Sequence, residues 1–240
     1  MVIILIGLLT VVATFLGGLF ALKYKDKLHL ILGFSAGAMI GVAFFDLLPE
    51  AIILGSKQFN SSIITSVVAL GFILFMFLDR FFSLHAHGDE QCGNKNHRGQ
   101  IGATTLSIHS FLDGAAIGLA FKVSPAVGAV VAIAVLAHDF SDGINTINLI
   151  LKNFGSPRQA FKWLLVDAFA PALGLLSTLF FSVPEATLGL ILALFCGFFL
   201  YIGASDLLPE SHHRHPTILT TLMTLAGIAI LYAAVHLASI

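Results

Sequence analysis

Charge is what this 240-residue chain has least of: 10% of its residues are Asp, Glu, Lys or Arg, against about 25% in an ordinary soluble domain. So few charges cannot cover a water-facing surface. A net charge of -1 carries no message about nucleic acid. With only two cysteines, Cys92 in a polar stretch and Cys196 in an apolar one, no disulfide framework is expected. The first apolar run, Met1 to Leu22, lacks a basic segment before it. Lys23, Lys25 and Lys27 come after it, which reads as a retained membrane span rather than a signal peptide.

What is present in excess is apolar length, 58% of the residues being hydrophobic. Eight runs are long enough to cross a bilayer as helices: 2–22, 29–54, 61–82, 101–121, 126–151, 160–182, 187–209 and 217–238. A helix satisfies every backbone hydrogen bond within one segment, which hydrocarbon demands. The expected fold class is therefore an all-α membrane protein, with one transmembrane domain over 1–240. The connections are short except 83–100, which is polar and contains histidine.

Lys and Arg favour cytoplasmic connections. With the N-terminus outside, the inner connections hold Lys23, Lys25, Lys27, Arg80, Lys95, Arg98, Lys152, Arg158, Lys162 and Arg214. The outer ones hold Lys57 and Lys122. Both termini are accordingly expected outside and the 83–100 loop in the cytoplasm. Tyr24, Tyr201 and Trp163 are expected as anchors at the membrane surface, and Asp79 with Arg80 as an interfacial pair.

Charged side chains inside spans cost about 2.5–3.5 kcal/mol each on the lenient insertion scale, so repeated instances point to function. Span four carries His109-Ser110-Phe111-Leu112-Asp113-Gly114, and span five carries His138-Asp139-Phe140-Ser141-Asp142-Gly143. In each, His and Asp four apart share one helix face, and the following Gly admits a close neighbour. Imidazole and carboxylate converging from two helices suit a divalent first-row metal, zinc in particular. Ser110 and Asp139 lie further round their helices, where a second ion could sit. One such pair alone could equally be a local hydrogen bond at a kink. Two in consecutive helices favour metal.

The segment Asp46-Leu47-Leu48-Pro49-Glu50 ends span two, and Asp206-Leu207-Leu208-Pro209-Glu210 ends span seven. Under the topology above the copies lie near opposite faces, as an inverted repeat of spans one to three and six to eight about a central pair predicts. Their acids could gather cations at the two mouths. The alternative is a shared helix-ending signal with interfacial acids. Asp167, one turn before Ala170-Pro171, is expected to face the interior as ligand or proton acceptor. His85, His87, Asp89, Glu90, Cys92 and His97, with His212, His213 and His215, form polar tracts able to bind zinc weakly. A plain polar linker is the other reading.

These motifs, the eight spans and the histidine-bearing loop resemble the ZIP (Zrt/Irt-like) family of metal transporters, with a pattern similar to its bacterial GufA-like branch. The resemblance implies a binuclear centre between spans four and five and a three-two-three inverted repeat. It places His109, Asp113, His138 and Asp142 in the first metal site and Ser110 and Asp139 in the second, with Asp113 and Asp142 bridging. The chain departs from the family's His-Asn-x-Pro-Glu-Gly run. Asp113 and Asp142 replace glutamates, Ser110 replaces Asn, Leu112 and Ser141 replace prolines, and Ala170 stands where Glu often precedes Pro171.

The function implied is transport of divalent transition-metal ions, Zn2+ foremost with Cd2+, Fe2+ or Mn2+ as alternatives, toward the cytoplasm. The setting is a multi-pass protein of the cell (inner) membrane. Its partners are metal ions and the lipid bilayer, with no nucleic acid, and a homodimer is compatible. An intramembrane metallohydrolase using the same residues to activate water is the enzymatic alternative, though no His-Glu-x-x-His is present. A metal sensor working through the cytoplasmic histidines is a third class.

Overall fold

The structure is a computed structural model, described here for residues 2–23, 28–88, 95–153, 155–180, 183–213 and 218–238. Its helices follow the apolar runs. They are α1 (Val2–Lys23), α2 (Leu28–Val42 continued through Ala43–Leu47 and Leu48–Gly55), α3 (Ser61–Gly88) and α4 (Lys95–Val123). Then come α5 (Pro125–Lys152), α6 (Pro157–Ser177), α7 (Glu185–Tyr201 continued through Ile202–Leu207 and Leu208–His213) and α8 (Ile218–Ala238). Eight of these paths are long and apolar enough to cross a membrane, and the described residues contain no strand. The protein is all-α and multi-pass.

Local signals account for several boundaries. Ser124 accepts a hydrogen bond from the Val127 N–H and is followed by Pro125 at the first helical position of α5. Ser156 and Gln159 form a reciprocal capping box before α6, again with Pro at the start. The expected 83–100 loop is narrower than the hydropathy suggests, because α3 runs on to Gly88 and α4 begins at Lys95. Neither flank contains proline, and adding residues to an existing helix is easy once it is nucleated. Residues 89–94, which include Asp89, Glu90 and Cys92, lie outside the described residues. So do His215 and the side chains of His85, His87, His97, His212 and His213.

The helices sort into two groups of four. Helices α1, α4, α5 and α6 pack on one another, as do α2, α3, α7 and α8, and the two groups meet chiefly along α2 and α5. Glycines set the tight crossings inside each group. A Cβ on Gly143 would lie 1.8 Å from the Thr14 carbonyl oxygen, and one on Gly17 would lie 1.8 Å from that of Phe140. Helices α1 and α5 therefore touch backbone to backbone, an approach only Gly permits. Gly114 and Gly174 do the same for α4 and α6, Gly37 and Gly227 for α2 and α8, and Gly71 and Gly197 for α3 and α7.

Helices α2 and α7 share a further feature. Each widens to a π-helical turn, at Ala43–Leu47 and Ile202–Leu207, just before Pro49 and Pro209. Proline lacks an N–H and its ring crowds the carbonyl four residues back. The widened turn resolves this: the Leu48 N–H reaches Ala43 O, and the Leu208 N–H reaches Gly203 O, five residues back in each case. Cys196 donates from α7 to the same Ala43 oxygen at 3.3 Å.

Candidate metal centre

The four side chains read from the motifs come together between α4 and α5. His109, Asp113, His138 and Asp142 are all buried, and one ligand atom from each lies within 4.8 Å of the others. His138 Nε2 is 3.0 Å from Asp113 Oδ2 and 3.8 Å from Asp142 Oδ2. His109 Nε2 is 3.1 and 3.7 Å from the same two atoms. Zinc bonds of about 2.0–2.1 Å in a tetrahedron place ligand atoms about 3.3–3.4 Å apart. These four separations bracket that value, and all the ligand atoms lie within 4.8 Å of one another, a spacing that could close on an ion.

The two imidazoles are held differently. His138 Nδ1 lies 2.9 Å from the carbonyl oxygen of Ala134, one turn earlier on its own helix. A proton on Nδ1 in that bond leaves the Nε2 lone pair facing the carboxylates, the usual way an outer partner orients a metal-binding His. Among the described residues His109 Nε2 makes no hydrogen bond, despite its closeness to Asp113. Two carboxylates at the centre would neutralise a divalent ion that hydrocarbon would otherwise reject.

Beside this cluster lies a second group of acids. Asp167 on α6 is fully buried, accepting from Ser110 Oγ on one oxygen and from Thr146 Oγ1 on the other, both at 2.7 Å. Asp139 is fully buried, and among the described residues neither of its oxygens has a hydrogen-bond partner. It interacts electrostatically with His138, Asp142, Asp113 and Asp167. An isolated buried charge is costly, so a carboxyl in that position is suited to meeting a cation. Thus Ser110, placed by sequence near a second ion, is directed at Asp167. Thr146 was not singled out, although it lies four residues after Asp142 and so on the same face of α5.

The mouths are less symmetric in their described detail. Asp46 is buried, its Oδ2 making no hydrogen bond among the described residues, and Glu50 is half-buried. Glu210 is exposed, and the Asp206 side chain lies outside the described residues. Tyr201, expected as a surface anchor, is instead buried against Phe72 and Phe75. Its helix is one of the most enclosed, so apolar packing decides its place.

A sequence model described as "ZIP Zinc transporter" matches residues 1–107 and, again, 85–234. The chain belongs to the ZIP family. Among its relatives, the Zinc transporter ZupT of Corynebacterium aurimucosum is 27% identical over 96% of this chain and 94% of its own length. The human Zinc transporter ZIP4 is 34% identical over 43% of this chain and 16% of its own length. Protein zntA of Dictyostelium discoideum is 37% identical over 44% and 22%. The chain thus spans under a quarter of the latter two and nearly all of the first.

Family membership gives the departures from the ZIP pattern a structural setting. Ser141, where the family usually has proline, is fully buried and meets Ser35 of α2, the two hydroxyls 2.9 Å apart. Ser35 also donates to Ala137 O at 2.8 Å. A proline could not supply that hydroxyl. Ser110, in the family's Asn position, keeps a polar group within reach of Asp167.

Proposed function

We propose that this ZIP protein carries divalent transition-metal ions, zinc foremost, toward the cytoplasm through His109, Asp113, His138 and Asp142. The observation carrying the proposal is the gathering of those four buried ligand groups within 4.8 Å at the crossing of α4 and α5. The name of the ZupT relative, whose length the chain nearly matches, supports zinc. Family and relatives favour a transporter over the hydrolase alternative.

In this reading an ion approaches from outside past Asp46 and Glu50, sheds water, and exchanges it for two imidazoles and two carboxylates. It leaves past Asp206 and Glu210. Asp139 and Asp167 offer a second resting place, with Ser110 and Thr146 holding Asp167 in position. The matching glycine crossings, α1 with α5 against α6 with α4, and α2 with α8 against α7 with α3, support the three-two-three inverted repeat. So do the paired π turns. The lysine and arginine distribution supports termini outside. Because glycine locks each four-helix group internally, access would alternate by one group shifting against the other along α2 and α5.

The test is zinc uptake into proteoliposomes. Asp113→Ala plus Asp142→Ala should abolish saturable flux while leaving the protein folded and reconstituted. Undiminished flux would end the proposal.

A further inference from the structure

The two histidines at the centre are anchored differently. The His138 ring meets Phe199 of α7, with centroids 6.1 Å apart, but its Nδ1 is also fixed by Ala134 O of its own helix. Among the described residues no backbone carbonyl holds the His109 ring. Its ring instead meets the edge of Phe75 on α3, with centroids 5.7 Å apart and planes at 79°. His138 also lies close, at 5.6 Å between ring centroids. Phe75 is in turn braced by Phe198 at 5.4 Å and Tyr201 at 5.7 Å, both from α7, and Phe72 supports Tyr201 at 5.3 Å. Every member of that aromatic brace belongs to the group of helices opposite the one that carries the four ligands.

We propose that Phe75 is a positioning residue for the metal site: it holds the His109 imidazole toward Asp113 and Asp142 only while the two helix groups keep this relative placement. This deepens the transport reading and rests on it. Rotation about the bond to an imidazole ring has a broad, roughly two-fold profile, so a ring without a hydrogen-bonded anchor needs packing to define it. When the groups shift, His109 loses its stop while His138 keeps its own. The site then passes from four firmly placed ligands to three and a swinging one, which loosens the ion at the stage where it must leave.

The experiment measures initial rates of Zn2+ uptake in proteoliposomes for the unaltered protein, Phe75→Leu, His109→Ala and the double variant. Re-immobilising one side chain accounts for about a threefold to tenfold rise in KM for Phe75→Leu, with the maximal rate unchanged or higher. Phe75→Tyr, which restores a ring, recovers most of the affinity. In the His109→Ala background the added Phe75→Leu changes KM less than about twofold, since the pair acts as one unit. Phe75→Met serves in the same design where the leucine variant does not fold. An unchanged KM, or an equal rise with and without His109, overturns the role of Phe75. A normal KM in His109→Ala alone would instead remove the proposed metal site itself.

Discussion

Replacing Gly143 by alanine sets two effects of opposite sign against each other. Helix propensity favours alanine by about 1 kcal/mol, so without neighbours the change would stabilise α5. The neighbour here is backbone: the new Cβ would sit 1.8 Å from Thr14 O and 2.8 Å from the Gly18 nitrogen. Restoring the 3.4 Å of ordinary contact from 1.8 Å requires α1 and α5 to separate by about 1.6 Å. No side-chain rotation can absorb that, which places the cost near the upper end of the overpacking range, about 3 kcal/mol. The net is roughly 2 kcal/mol of destabilisation, or about 4–8 °C in Tm for a chain of this size. Gly7, on the same helix α1, is the control, since its added Cβ would meet Ala172 Cβ at 3.8 Å. Gly7→Ala should raise Tm by about 2–4 °C through propensity alone. The assay is thermal unfolding of the purified protein in detergent, followed by the fraction remaining monodisperse on gel filtration. Equal stabilisation by both substitutions would refute the backbone contact between α1 and α5.

The remaining predictions concern the site. Asp142→Asn keeps an oxygen near the ion but removes one of the two neutralising charges. At about 2.5–3.5 kcal/mol for a buried charge, uptake at low zinc should fall about 70- to 400-fold. Asp142→Glu, which keeps the charge, should lose far less, as proteoliposome flux can show. Imidazoles and carboxylates must be deprotonated to bind metal, so acidifying the outer solution should raise KM for zinc, read from uptake rates at fixed membrane potential. Thr146→Val strips one donor, held at 2.7 Å, from Asp167 and leaves a buried oxygen unsatisfied. Stability should drop by about 1–3 kcal/mol, and Thr146→Ser should restore it in the same thermal assay.

How much of this was legible in the sequence follows from how local each feature is. The eight helices were readable because hydrocarbon leaves a spanning chain almost no alternative to a helix, and run length is a property of one segment. The pairing of His109 with Asp113, and of His138 with Asp142, was readable because four residues bring a helix back to the same face. Gly114 and Gly143 announced close neighbours without naming them. That Gly143 meets Thr14 and Gly114 meets Pro171 depends on helices far apart in the chain. Thr146 was within reach of the same reasoning, one turn beyond Asp142. Tyr201 was misplaced because an aromatic near a span end looks alike whether it anchors at a surface or packs inside.

Phe75 belongs to a different category, being one of 22 phenylalanines with no pattern to set it apart from exposed neighbours such as Phe77. Its contact with His109, like that of Ser35 with Ser141, crosses between the two helix groups. Helix periodicity carries information about one helix, and a repeated motif carries it about two related ones. Neither describes the seam between the two helix groups. The candidate ligand set, built on adjacent helices of one group, therefore shows in the sequence. The contacts that would govern when an ion is let go lie on the seam and emerge only when the helices are packed.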